Sequence, residues 1–144
     1  MPTLQLHGTP QVRLDDGQWL PLSAREAALL AWLHLEGPTP RGRLAALLWP
    51  DGADARARTN LRQTLARLKR SAGALWTEDL GVLTLAAPVA DDEGQPLLGP
   101  LQFDDADTLA AWLAGRRAQQ QRDRQRQALQ QLQQLLAAGR LDEA

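Results

Sequence analysis

Residues 55–77 hold Arg56, Arg58, Arg62, Arg67, Lys69 and Arg70 and not one carboxylate. Thr59, Asn60 and Gln63 are interleaved with them. Guanidinium and ammonium groups neutralise phosphates and release their counterions. A side-chain amide offers the donor–acceptor pair that matches the N6/N7 edge of adenine, and an arginine fork matches O6/N7 of guanine. Placed on one face of a helix, these residue types are what base reading in a major groove requires. A solvated amphipathic helix can share the composition. Such helices, however, usually mix signs to gain i,i+4 ion pairs. Six cations across 56–70 without an acid favour an anionic partner.

Other chemistry finds little footing. The chain has no cysteine, so it offers no thiolate nucleophile, zinc knuckle or disulfide framework. His7 and His34 lack companion ligands at metal spacing. The acid pairs Asp15-Asp16 and Asp104-Asp105 and the run Asp91-Asp92-Glu93 sit at turns, where solvation explains them. Ser23 and Ser71 have no activating base beside them, and there is no Gly-rich phosphate loop. No enzymatic activity, metal or cofactor is expected.

The elements that must position the basic face can be read from turn and cap signals. Leu4-Gln5-Leu6-His7, Gln11-Val12-Arg13-Leu14 and Trp19-Leu20-Pro21-Leu22 are short strand patterns separated by Gly8-Thr9-Pro10 and Asp15-Asp16-Gly17. Ser23-Ala-Arg-Glu26 fits a capping box that opens a first helix, which Gly37-Pro38 ends. A second helix is expected from near Thr39-Pro40 to Trp49, and a third from about Asp54 to Ser71, with Gly73 past its end. In the third, Ala57, Leu61, Leu65, Leu68 and Ala72 form one apolar stripe. Arg56, Thr59, Asn60, Gln63, Arg67 and Arg70 lie opposite, and Arg58, Arg62 and Lys69 share one flank. Leu75-Trp76-Thr77 and Val82-Leu83-Thr84-Leu85 then read as a β-hairpin around 78–81. Residues 86–100, rich in Pro, Gly and acid, read as linker. A long helical pattern follows from Asp107 to Ala138, with Gly139 as its cap and a further helix beginning at Leu141. The five tryptophans mostly occupy apolar positions and are expected in the core, with Trp76 and Trp112 as candidate exceptions. The Gln/Arg-rich stretch 116–134 reads either as a solvated helix surface or as a contact for a partner chain.

The chain has 144 residues, 44% hydrophobic and 23% charged, as an ordinary globular protein would have. No apolar run approaches the about 18 residues of a membrane span, and the start has no signal-peptide layout. The cytoplasm is therefore the expected compartment and no membrane partner is expected. The net charge of −1 conceals an asymmetry. Residues 1–90 carry ten cations against eight acids, and 91–144 carry six against nine.

Leu44-Ala-Ala-Leu-Leu-Trp49-Pro50-Asp51, followed by Ala57-Arg-Thr-Asn-Leu-Arg-Gln-Thr-Leu-Ala-Arg-Leu-Lys-Arg70, resembles the head of the Streptomyces antibiotic regulatory protein family. The opening Leu4-Gln-Leu-His-Gly8 and the strand Gly81-Val-Leu-Thr-Leu85 resemble it too. Pro96-Leu-Leu-Gly-Pro-Leu101 through Asp104-Asp105, Trp112-Leu113 and Leu135-Leu-Ala-Ala-Gly139-Arg-Leu-Asp-Glu-Ala144 are similar to the early helices of that family's activation domain. The resemblance implies a mainly α fold with small antiparallel sheets. It would comprise an OmpR-type winged helix-turn-helix (1–88), a linker (89–106) and the first helices of a truncated, tetratricopeptide-like activation domain (107–144). It implies a bacterial transcriptional activator that binds double-stranded DNA at direct repeats, as a homodimer on the duplex, and contacts RNA polymerase. Arg56, Arg58, Thr59, Asn60, Arg62, Gln63, Arg67, Lys69 and Arg70 would carry the DNA contact. The sequence departs from the pattern in a shortened stretch after the wing and in an acidic wing tip, Glu78-Asp79. The alternative is a winged-helix module that binds protein and no DNA. The helical tail is expected to pack back on the head or to pair with another copy, burying Leu132, Leu135 and Leu136.

Overall fold

A computed structural model describes the backbone of residues 1–143 and the side chains of residues 1–139. The first alternating stretch folds as a meander of three antiparallel strands, β1 (Thr3–Gln5), β2 (Gln11–Arg13) and β3 (Trp19–Pro21). Its register places Leu4, Val12 and Leu20 opposite one another on one face. Because strand side chains alternate, the partner face is open. Trp19 is accordingly not core: it is 42% exposed, and the Arg13 guanidinium lies 5.8 Å from its ring.

Helix α1 (Ala24–Glu36) begins at Ser23, whose hydroxyl accepts from the Glu26 N–H while the Glu26 carboxylate accepts from the Ser23 N–H. The expected capping box is therefore present. Residues 27–33 are buried without a break, so α1 is covered on every side. An all-apolar helical stretch demands such a central place. After Gly37 the chain makes a two-residue strand, β4 (Thr39–Pro40), and only then α2 (Arg41–Leu48). The Thr39 hydroxyl accepts from the indole N–H of buried Trp32 at 3.1 Å.

Helix α3 (Asp54–Ala72) leads to a hairpin, β5 (Trp76–Asp79) and β6 (Val82–Leu85). Its two-residue loop, Leu80-Gly81, has φ of +50° and +77° at the two positions, the mirror-image turn that suits a twisted hairpin. The second sheet runs β4-β6-β5, with Thr39 opposite Leu83 and Pro40 opposite Val82. The described residues thus form four helices and two antiparallel three-stranded sheets.

Residues 89–106, read from the sequence as a linker, are stitched to β1. Leu4 donates to the Pro88 carbonyl and accepts from Ala90; Leu98 donates to the Leu6 carbonyl, and Gly8 to that of Pro96. Leu97, Leu98, Phe103 and Ala106 are buried. One hydrophobic core runs from Leu4 to Leu113, across both expected boundaries at 88 and 106. Polarity and proline had suggested a tether. The apolar residues scattered among them supply the burial.

Helix α4 (Asp107–Glu143) behaves differently along its length. Leu109 and Leu113 enter the core, and Trp112 packs on Trp32 with ring centroids 4.9 Å apart. Farther along, Leu129, Leu132, Leu135 and Leu136 are 57, 55, 70 and 58% exposed, so the head does not bury them. Nor does the helix stop at Gly139: it continues to Glu143, and Ala144 lies outside the described residues. Gly139 is followed by Arg-Leu-Asp-Glu with no proline, and a glycine inside such a run costs only about 1 kcal/mol. No helix among the described residues is long and apolar enough to cross a membrane.

The seam between β1 and 89–106 closes at Gly99. Its φ is +49°, and a Cβ there would lie 2.4 Å from the Gly8 carbonyl oxygen. Backbone cannot retreat as a flexible side chain can. Gly99→Ala should lower stability by roughly 2–5 kcal/mol, strain and overlap together. Thermal melting checks this, and an unchanged Tm would show that the seam is loose.

Candidate nucleic-acid interface

Helix α3 follows from its own pattern. Ala57, Leu61, Leu65, Leu68 and Ala72 are all buried, as the stripe predicts. Asp54 stands in the first turn and Lys69 and Arg70 in the last, each sign facing the helix end it stabilises. Thr64 is buried as well, which polarity alone concealed; its hydroxyl lies 3.5 Å from an Arg67 guanidinium nitrogen.

Burial of that stripe fixes what faces outward. Arg56, Arg58, Arg62, Gln63, Arg67, Lys69 and Arg70 are exposed, and Thr59 and Asn60 are half-buried. Among the described residues none of the six cations has a carboxylate partner. Elsewhere Arg25, Arg41, Arg116, Arg124 and Arg126 are all ion-paired. The Thr59 hydroxyl donates to its own helix, to the Ala55 carbonyl at 3.0 Å, which leaves it only as an acceptor.

The nine residues expected to act together are distributed around a ridge. Asn60, Gln63 and Arg67 border a groove against the N-terminus of α1 and Trp49. Arg62 and Lys69 border a second groove, of about 340 Å³, between α3 and the hairpin. Arg58 parts from that pair and lines a crevice against α2 beside Asp54. Arg56, Thr59 and Arg70 stand on the crest by helical spacing.

The second groove also contains Arg41, which the sequence did not single out. It stands at the start of α2, and the β4–β6 pairing carries it to the hairpin, where its N–H donates to the Gly81 carbonyl. A strand of two residues leaves almost no sequence signal. Proline at 40 reads equally well as the first turn of a helix.

No protein-family model, no curated protein and no solved structure matches this chain. The site is therefore judged on its chemistry. Arg41 forms a two-pronged pair with Glu78, Nε to Oε2 at 2.5 Å and a terminal nitrogen to Oε1 at 2.7 Å. This hydrogen bonding holds the Glu78 carboxyl below the ordinary glutamate range and raises the Arg41 guanidinium. One of the two tip acids is thereby offset within the hairpin groove. Leu80, at the turn, is 96% exposed.

The pair also sets a pH signature. The folded-state pKa of Glu78 is depressed, so its stabilisation is present above the unfolded pKa and is lost as pH falls through the folded one. Both side chains are about a third exposed, 37 and 31%, so screening limits the effect. Glu78→Gln should cost no more than about 1 kcal/mol near neutrality. The gap from wild type should close in acid. Melting curves across pH test this, and a gap that stays constant into strong acid would deny the pair its electrostatic role.

Proposed function

We propose that this chain binds double-stranded DNA as a transcriptional regulator, with α3 in the major groove. The observation that carries the reading is the outer face and flank of α3, where six cations that have no ion-pair partner among the described residues accompany Asn60 and Gln63. Like charges four apart, such as Arg58 and Arg62, repel and are unfavourable in an isolated helix. An anionic partner relieves that repulsion. The order of three helices, then a hairpin that borders the third, supports the winged helix-turn-helix assignment of the OmpR type. In this reading the ridge enters the groove, Asn60 and Gln63 meet base edges, and the flanking Arg62 and Lys69 meet phosphates.

The resemblance to antibiotic regulatory activators adds the expectations of direct repeats, a homodimer on DNA, recruitment of RNA polymerase and a cytoplasmic setting. The tetratricopeptide-like part gains no support from architecture. Among the described residues, α4 is a single unbroken helix with no antiparallel partner.

Two measurements test the proposal. About four to six phosphate contacts give a log–log salt slope of roughly −4 to −5 for duplex binding. Affinity that is flat between low and moderate salt would remove the electrostatic basis, and would leave the protein-binding module as the reading. Base and backbone roles separate by substitution at the preferred site. Asn60→Ala or Gln63→Ala should cost about 1–3 kcal/mol there and relax the preference, whereas Arg62→Ala or Lys69→Ala should weaken all sequences alike. Equal losses on specific and random duplexes for Asn60→Ala would reverse the assignment of that residue.

A further inference from the structure

Among the described residues, the groove between α3 and the hairpin is lined by three cations, Arg41, Arg62 and Lys69, and by one carboxylate, Glu78. Arg62 and Lys69 have no carboxylate partner there. Arg41 is instead held by both oxygens of Glu78, at 2.5 and 2.7 Å. The remaining wall is largely apolar, with Leu65 and Trp76. Cations above an apolar wall suit a sugar–phosphate strand. The carboxylate is the one group in the groove that does not.

The hairpin does not need this ion pair to stay in place. Strand β6 is paired with β4, and the Arg41 N–H donates to the Gly81 carbonyl at 2.9 Å. The backbone of Arg41 is thereby fixed, while its side chain can change partner without moving it. The two side chains are 37 and 31% exposed, so an ion in solution reaches the pair. Exposed pairs are weak enough to exchange. A guanidinium fork takes a phosphate through the same two parallel N–H bonds by which it takes a carboxylate.

We infer that Arg41 is a further phosphate ligand of the DNA interface, and that Glu78 stands in for the phosphate in the free protein. This rests on the DNA-binding reading of α3. A strand that enters beside Arg62 and Lys69 brings a phosphate to the Arg41 fork, and the Glu78 carboxylate gives way and turns to solvent. Only hydrogen bonds are exchanged. Every duplex must therefore displace an internal anion, which lowers affinity for all sequences alike.

Fluorescence anisotropy of the chain on a short mixed-sequence duplex tests this, because phosphate contacts do not depend on sequence. Glu78→Gln should bind about twofold to fivefold tighter than wild type, the yield of releasing one exposed pair. Arg41→Ala should bind more weakly and flatten the log–log salt slope by about 0.9, the share of one phosphate. In an Arg41→Ala background Glu78→Gln should bring no gain, since the fork it frees is gone. Circular dichroism establishes that each variant folds. A pair with a purely structural role predicts the opposite sign, weaker binding by Glu78→Gln. The inference is overturned if wild type binds the duplex but Glu78→Gln binds no tighter, or if the gain survives Arg41→Ala. Failure of wild type to bind any duplex at low salt would instead remove the DNA-binding reading, and this inference with it.

Discussion

Seven consecutive buried positions, 27–33, make α1 the constraint around which the rest is arranged. A helix with polar and apolar sides can lie on a surface, but this one has no side to spare. Helices α2 and α3, strand β6 and the start of α4 therefore pack against one element, and each must turn an apolar face inward. For α3 that requirement has a functional corollary. Because Leu61, Leu65 and Leu68 are committed to the core, helical geometry leaves Arg56, Gln63 and Arg70 no direction but outward. The same constraint explains why the chain beyond the hairpin is needed. The last turn of α1 carries Trp32 and Glu36, and Trp112 and Arg116 of α4 cover them.

Several ion pairs join elements of the fold. Arginines that hold elements together are matched, Arg25 to Asp105, Arg41 to Glu78 and Arg116 to Glu36. Among the described residues the cations of α3 have no carboxylate partner. Exposed pairs contribute only about 0–1 kcal/mol each, so their absence on α3 costs little stability. That low cost leaves a basic ridge free for a partner. Glu78 of the hairpin does not cancel the ridge either, since it is turned to Arg41 and not to Arg62 or Lys69.

Much of this was legible in the residues, and what was not has identifiable reasons. Ser23 and Glu26, Gly37, Gly73 and the α3 stripe are local signals, and local structure follows them closely. Strand β4 escaped because two residues carry no periodicity, and with it went Arg41's place beside the hairpin. The packing of 89–106 escaped because its partner, β1, is distant in sequence; neither hydropathy nor proline count reveals a parallel bridge between Leu4 and Val89. Bulk and apolarity point Trp19 to the core, whereas strand parity sends Leu20 inward and its neighbour out. At the candidate site, helical spacing puts the nine residues on the outer side and flanks of α3, with Thr59 and Asn60 half-buried. Their division among two grooves, a crevice against α2 and the crest depends on what stands beside α3, and that is tertiary information.

The junction between head and α4 shows why a cation can be structural without a carboxylate. Arg117 donates to the carbonyls of Leu97, Gly99 and Leu101, at 2.9, 2.9 and 3.0 Å. Desolvation lowers its pKa, so the environment resists the charge it nevertheless retains. The three carbonyls belong to a turn in which Leu98 and Gly99 both adopt positive φ, +56° and +49°. A leucine there is disfavoured by its Cβ, and carbonyls bunched by such a turn repel one another. A planar guanidinium spans several acceptors at once, which the compact ammonium of lysine does not. Arg117 therefore stabilises the turn and attaches α4 to it in one set of contacts. The exposed leucines farther along the helix consequently project from a root that is fixed to the core, not from a tether.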